Sequence, residues 1–122
     1  MIPLSKSEEE LMNHLWKLEN AFMKDLLDEY SDPKPATTTV ATLLKRISDK
    51  GYLGYKLHGK TREYYPLIKK KTYFAKHVNT LIKDFFNNSA AQFASFFTKE
   101  TDLSREELED LKKLIDQEIK KK

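Results

Sequence analysis

The side chains best suited to chemistry lie on one face of a helix that the sequence predicts after Pro35. At about 100° per residue, this face collects hydroxyl and cationic side chains: Thr38, Thr39, Thr42, Lys45 and Arg46. Exposed helix faces usually mix glutamate with lysine for local ion pairing, yet Asp49, at the helix end, is the only acid here. Hydroxyls and cations without glutamate suit close approach to a groove lined by phosphates. The alternative interpretation is β-branched residues on an ordinary surface helix.

The opposite side of the same helix must face a protein interior. Its apolar residues fall within one arc at helical spacing: Val40, Leu43, Leu44 and Ile47. Gly51 is placed to end the helix just after the C-cap, where glycine readily adopts a left-handed conformation. We therefore expect this helix to pack against the preceding helices and to expose its hydroxyl-rich face.

A basic β-hairpin is predicted directly after Gly51. Residues 52–57 and 61–66 are rich in β-forming side chains, and Gly59 lies in the short turn between them. Three cations lie on or near the tip of this hairpin: Lys56, Lys60 and Arg62. We interpret them as further contacts to a polyanion.

Two helices are predicted before the hydroxyl-rich one. Ser5 and Glu8 have the spacing of a capping box and predict a helix over residues 6–19. A shorter helix is predicted over residues 21–30, with Phe22 facing inward, and the prolines at 33 and 35 end it. Three helices followed by a basic hairpin predict a mostly α fold with a small β wing, a winged helix-turn-helix over residues 1–68.

The remainder, residues 69–122, is predicted to be helical and to carry more apolar surface than about 50 residues can bury alone. Ser104 and Glu107 repeat the capping-box spacing at the start of the last helix. We assign residues 69–122 to a helical dimerisation domain, whose candidate contact residues are Phe74, Val78, Leu81, Phe85, Leu108, Leu111 and Ile115. The alternative is that these helices fold back on the first domain.

The distribution of charge favours nucleic acid as the partner. The 122 residues carry a net charge of only +3. Residues 34–66, however, hold seven Lys and Arg against two acidic residues, whereas residues 1–33 hold three against eight. A basic segment of this kind is the electrostatic footprint of a polyanion binder.

Nothing in the sequence indicates an enzyme, a cofactor or a metal site. The three histidines, His14, His58 and His77, lack the spacing of metal ligands, and cysteine is absent. The three glycines form no phosphate-binding loop, and no nucleophile has a base and an orienting partner. Since there is also no signal peptide and no apolar run of about 20 residues, we expect a cytoplasmic protein that does not engage membranes.

Several stretches resemble the penicillinase-repressor family (BlaI/MecI/CopY type). Residues 40–53 resemble its recognition helix, and residues 59–66 resemble its wing. Residues 4–16, which end in a Leu-Trp pair, fit its first helix. Leu103-Ser104 with Glu106-Glu107 and the leucine-striped last helix fit its C-terminus.

This resemblance implies a homodimeric transcriptional repressor that binds a palindromic double-stranded DNA operator, often with a TACA…TGTA core. Carried over by position, Thr38, Thr39 and Thr42 would face the major groove, and Arg46 would lie closer to the backbone. Lys60 and Arg62 would hold phosphates beside the minor groove.

The resemblance also suggests how repression could end. Some members are cut by a membrane sensor protease at an Asn-Phe bond before the last helix, and the matching bond here is Phe96-Phe97, without the asparagine. Members that respond to copper carry a C-terminal cysteine motif, which this chain lacks.

Two other functions are compatible with a winged helix. A protein-interaction adaptor would use the wing to bind a protein and would show no salt-steep affinity for duplex DNA. A regulator of the MarR type would sense a small ligand, although no ligand pocket can be read from the sequence.

Overall fold

The computed structural model describes all residues from Met1 to Lys122. The chain forms two compact units, Met1–Ala75 and Lys76–Lys122. The first contains α1 (Lys6–Leu18), β1 (Ala21–Phe22), α2 (Met23–Glu29), α3 (Thr37–Asp49), β2 (Leu53–His58), β3 (Thr61–Pro66) and the start of α4 (Lys70–Phe85). The second contains the rest of α4, then α5 (Ala90–Glu100) and α6 (Arg105–Lys121).

Helix α1 begins at the predicted capping box. The Ser5 hydroxyl accepts a hydrogen bond from the Glu8 amide at 3.2 Å, and the Ser5 amide donates to the Glu8 carboxylate at 2.7 Å. These bonds satisfy amides that have no partner within the helix. The helix then buries Leu11, Met12 and Leu15 completely.

The second predicted helix begins later than the sequence suggested. Ala21 and Phe22 form the strand β1, which pairs antiparallel with β3 in the register Ala21↔Tyr64 and Phe22↔Glu63. The prediction of Phe22 as an inward helical residue was therefore wrong. A strand of two residues leaves no periodic pattern in the sequence, because a pairing more than 40 residues away along the chain defines it.

Helix α3 ends as the glycine predicts. Gly51 adopts φ +85, and its amide donates to the Ser48 carbonyl at 2.9 Å. The next amide, of Tyr52, donates to the Ile47 carbonyl at 3.2 Å. This pair of bonds is a Schellman motif, which stops α3 and turns the chain into β2.

The three strands form one antiparallel sheet in the order β1-β3-β2. The hairpin β2–β3 has a two-residue turn, since His58 pairs with Thr61. Gly59 has φ +65 in this turn, a positive value at the first central residue, as a type II′ hairpin turn requires. The three helices and this wing confirm the winged-helix fold expected from the sequence.

The core of the first unit lies between its helices and its sheet. Twelve buried apolar residues form one cluster: Leu11, Met12, Leu15, Ala21, Leu26, Val40, Leu44, Ile47, Tyr52, Leu53, Tyr64 and Tyr73. The first turn of α4 belongs to it, because Tyr73 is buried and its hydroxyl donates to the Glu9 carboxylate at 2.7 Å. The compact unit consequently extends past the expected boundary at residue 68 to Ala75.

The second unit contains no buried residue. Its own contacts centre on the aromatic rings of α4 and α5, where the Phe86 ring lies 5.5 Å from that of Phe93 and 5.3 Å from that of Phe96. Helix α6 begins at the second predicted capping box, in which the Ser104 hydroxyl accepts from the Glu107 amide at 3.1 Å. Local signals thus start the helix correctly, although little apolar surface is buried beneath it.

Candidate nucleic-acid interface

Helix α3 separates its two faces as the helical period predicts. The candidate DNA-contacting side chains on it are all exposed: Thr38, Thr39, Thr42, Lys45 and Arg46. Val40, Leu44 and Ile47 on the other side are at most 2% exposed, and Leu43 packs against the core from its edge. The burial of one side fixes the rotation of the helix, so the hydroxyls and cations must face outward.

The Thr42 side chain has a defined orientation on this face. Its hydroxyl donates to the Thr38 carbonyl one turn earlier, at 3.0 Å. This bond uses the hydroxyl proton, but the oxygen can still accept a hydrogen bond. Thr42 therefore offers an acceptor and a methyl group to whatever binds this face.

An ion pair lies at the C-terminal end of the same face. Lys45 and Asp49, one turn apart, approach to 3.3 Å, and both side chains are mostly exposed. An exposed pair of this kind contributes little to stability. Its main effect is on charge, because Asp49 partly neutralises a cation on an otherwise basic face.

The register of the hairpin places its cations on different faces. Residues directly opposite each other in an antiparallel pair share one face, so Arg62 lies with Leu57, whereas Lys56 lies with Glu63 on the other side. Lys60 is exposed in the turn itself. The structure therefore does not bring Lys56 and Arg62 together, although the sequence grouped all three cations.

Arg62 lies on the face that is turned towards α3. Its guanidinium carbon lies 4.4 Å from the centre of the Tyr55 ring. Both side chains line a cleft of about 410 Å³ between α3 and the hairpin, together with Ala41, Leu44, Lys45, Ser48, Asp49 and Tyr64. The cleft thus joins the exposed face of α3 to one cation of the wing, whereas sequence reasoning did not single out Tyr55.

A buried ion pair fixes the C-terminal end of α3 to α1. The Lys50 ammonium lies 2.5 Å from the Glu8 carboxylate, and Glu8 is only 2% exposed. The same ammonium donates to the Pro3 carbonyl at 3.0 Å. Burial raises the pKa of Glu8, but hydrogen bonds from Lys50 and Ser5 and the charge of Lys50 outweigh it, so the pKa lies below its usual value.

Sequence reasoning assigned Glu8 only to helix capping and missed this pair. Lys50 and Glu8 are 42 residues apart in the chain, and no local pattern connects them. The pair holds the residue that caps α3, so it orients the helix that carries the candidate interface.

The candidate dimerisation residues fall in both units. Phe74 belongs to the first, where its ring lies 6.0 Å from that of Trp16. Five others are exposed apolar residues of the second unit: Val78 at 38%, Leu81 at 37%, Phe85 at 75%, Leu108 at 37% and Ile115 at 58%. Leu111 is half-buried and lines, with Phe93, Phe97, Leu108 and Ile115, an apolar groove of about 400 Å³ between α5 and α6.

The candidate cleavage bond, Phe96-Phe97, lies inside α5. The two side chains are 51% and 37% exposed, but the backbone around them is helical. Proteolysis of a folded segment requires that it first open. Cleavage at this bond would therefore depend on unwinding α5.

No helix is both long enough and apolar enough to cross a membrane.

Comparison with known proteins agrees with the winged-helix architecture. The family model described as "Penicillinase repressor" matches residues 4–117. The chain is 26% identical over 113 residues to the "Methicillin resistance regulatory protein MecI" of Staphylococcus aureus (strain N315), with 92% of each chain covered. It is 24% identical over 120 residues to the "Penicillinase repressor" of Bacillus licheniformis, with 98% of this chain and 94% of the relative covered.

A solved structure is similar to the first unit. It is described as the "Solution structure of the DNA binding domain of the repressor BlaI", and it matches with a TM-score of 0.51 and 28% identity. The match covers 57% of this chain and 87% of that one. The fold that carries the exposed face of α3 is thus similar to a domain that binds DNA in another repressor.

Proposed function

This chain belongs to the penicillinase repressor family, and from that premise we propose that it represses transcription by binding a palindromic DNA operator as a homodimer. One observation carries the proposal: α3 exposes Thr38, Thr42 and Arg46 on the side opposite its buried residues. A helix with such a face fits the major groove of B-DNA, where base edges are distinguishable. Binding, and not catalysis, is the activity that this surface supports.

The threonines of α3 are the residues that we propose read the bases. Thr42 presents its methyl group and an acceptor oxygen, since its proton is held by the Thr38 carbonyl. A methyl group packs well on the methyl of thymine, and the oxygen can accept from the amino group of adenine or cytosine. Thr38 and Thr39, one turn earlier, would read the neighbouring base pairs.

The cations are the residues that we propose bind phosphates. Lys45 and Arg46 continue the exposed face of α3, and Arg62 faces the same cleft from the hairpin. Lys60 at the turn and Lys56 on the far side of the hairpin would add contacts to the backbone of the duplex. Contacts of this kind set affinity and register, not sequence preference.

Homodimer formation is proposed through the second unit. Its exposed apolar side chains, such as Phe85 and Ile115, have no partner large enough to bury them within that unit. Contiguous exposed apolar surface of this kind marks an interface. Two copies related by a two-fold axis would place their α3 helices on half-sites about one helical turn apart.

The first experiment is fluorescence anisotropy on two labelled duplexes, a palindrome with the TACA…TGTA core and a scrambled sequence, at several salt concentrations. We expect the palindrome to bind at least ~100-fold more tightly, with a steep negative dependence on salt. Equal, salt-steep binding to both duplexes would reject this operator. The absence of binding at low salt would reject DNA as the partner and favour a protein adaptor.

Two variants separate the proposed roles. Arg62→Ala should weaken both duplexes equally and reduce the salt slope by about one, as the loss of a phosphate contact does. Thr42→Ala should keep the salt slope and narrow the difference between the duplexes by about threefold to tenfold. If Thr42→Ala weakens both duplexes equally, Thr42 does not read bases.

A further inference from the structure

We propose that Tyr55 is a positioning residue for DNA binding, which holds the Arg62 guanidinium at the cleft between α3 and the hairpin. This inference rests on the proposed function and adds a residue to it. Arg62 lies 4.4 Å above the Tyr55 ring, and the two line the same cleft as Lys45 of α3. The strand register produces this geometry, because Tyr55 pairs with Tyr64, two residues after Arg62 on β3. Such diagonal neighbours are within reach of an aromatic ring and a long side chain.

The stack is connected to the core of the first unit. The Tyr55 ring lies 6.0 Å from the Tyr64 ring at an interplanar angle of 60°, an edge-to-face contact. Tyr64 is only 8% exposed, whereas Tyr55 is 41% exposed. Tyr55 therefore transmits the fixed position of a buried ring to an otherwise exposed arginine.

A fixed guanidinium is better prepared to bind phosphate than a mobile one. Ordering a long side chain at an interface costs conformational entropy, and holding it in place beforehand reduces that cost. Arginine can stack its plane on a ring while its N–H groups at the edge stay free for two parallel hydrogen bonds to phosphate. Lys60, which is exposed in the hairpin turn, has no ring beneath it, so the stack distinguishes Arg62 from the other cation near the tip.

The test is a double-mutant cycle on the full chain with a random-sequence duplex of about 30 bp, long enough for two half-sites one helical turn apart. Tyr55→Leu retains apolar bulk but removes the ring, and we expect about twofold to fivefold weaker binding. Tyr55→Phe retains the ring and should bind like the unsubstituted protein. In an Arg62→Ala background, Tyr55→Leu should have no further effect.

Two results would overturn the proposal. An equal loss from Tyr55→Leu with and without Arg62 would mean that Tyr55 acts on DNA directly or through folding. A loss in Tyr55→Phe as large as in Tyr55→Leu would assign the effect to the hydroxyl and not to the ring.

A measurement without DNA separates this inference from the proposed function. The Arg62 side-chain protons should show an upfield ring-current shift in the NMR spectrum, which Tyr55→Leu removes and Tyr55→Phe retains. If the shift is absent while the unsubstituted protein binds duplex, the positioning role is wrong and the DNA-binding function stands. If the shift is present but the unsubstituted protein binds no duplex at low salt, the DNA-binding function is wrong and the role of Tyr55 is wrong with it.

Discussion

Two capping boxes with the same residue types start helices in the two units, and their surroundings differ completely. In the first unit, Glu8 is buried and paired with Lys50 above a core of twelve apolar residues. In the second, Glu107 is exposed and no residue of the unit is buried. Identical local signals therefore start a helix in both places. Whether that helix belongs to a self-sufficient core is decided by what packs beneath it.

This contrast assigns different sources of stability to the units. The first unit contains its own core, so its stability should not depend on protein concentration. The second leaves Phe85, Ile115 and Ile119 more than half exposed, so most of its stabilisation must come from an apolar partner surface. The stability of an obligate assembly depends on concentration by mass action.

The largest expected effect is the loss of core packing in the first unit. Leu15→Ala removes a side chain that is 0% exposed, and we expect the free energy of unfolding to fall by about 2–5 kcal/mol. Urea denaturation of the full chain followed by near-UV circular dichroism measures this change. Leu57→Ala is the matched control, since Leu57 is 63% exposed, and it should change stability by less than about 0.5 kcal/mol. Equal losses in the two variants would remove the basis of the contrast.

A charge on the apolar face of α6 tests the second unit. Ile115→Asp places a carboxylate on the surface that we propose is buried between two copies, so the dissociation constant of the dimer should rise at least about tenfold. Analytical ultracentrifugation over a range of concentrations gives this constant. Lys113→Asp makes a change of charge nearby on the same helix, outside the apolar groove, and should have a much smaller effect. An unchanged dissociation constant in Ile115→Asp would exclude this face as the dimer interface.

The capping boxes themselves give the smallest and most direct comparison. Glu8→Gln should lower the free energy of unfolding by about 1–3 kcal/mol at pH 7, because it leaves Lys50 without its buried partner. Glu107→Gln, at the exposed box, should lower it by less than about 0.5 kcal/mol. Thermal or urea unfolding of both variants measures the difference, and equal losses would show that burial of Glu8 adds nothing to capping.

The effect of Glu8→Gln should also depend on pH. The folded protein holds the pKa of Glu8 below its ordinary value of 4.5. A carboxylate of this kind stabilises the folded state above its unfolded pKa, and this stabilisation is lost as the pH falls through the folded pKa. The difference between the unsubstituted protein and Glu8→Gln should therefore shrink as the pH falls below about 4.5. A difference that is constant from pH 7 to pH 3 would contradict this account.

Features that depend on neighbouring residues in the chain were predictable. The faces of α3 follow from a helical period of 3.6 residues, the end of α3 from Gly51, and the start of α6 from Ser104 and Glu107. The sequence also indicated that its C-terminal part has more apolar surface than it can bury, which the exposure of that unit bears out. Its interpretation as a dimer interface remains a proposal.

The rest depended on contacts between residues far apart in the chain. The strand β1 exists because Ala21 and Phe22 meet β3, and no local pattern marks a pairing of two residues. The strand register alone decided that Arg62 stacks on Tyr55 while Lys56 faces the other side of the hairpin. Sequence by itself thus determined which residues form helices, which faces are apolar and where basic charge is concentrated, because periodicity and capping act over a few residues. Only the tertiary structure decided which cations share a surface and which acid is buried, because both depend on distances that folding creates between separate elements.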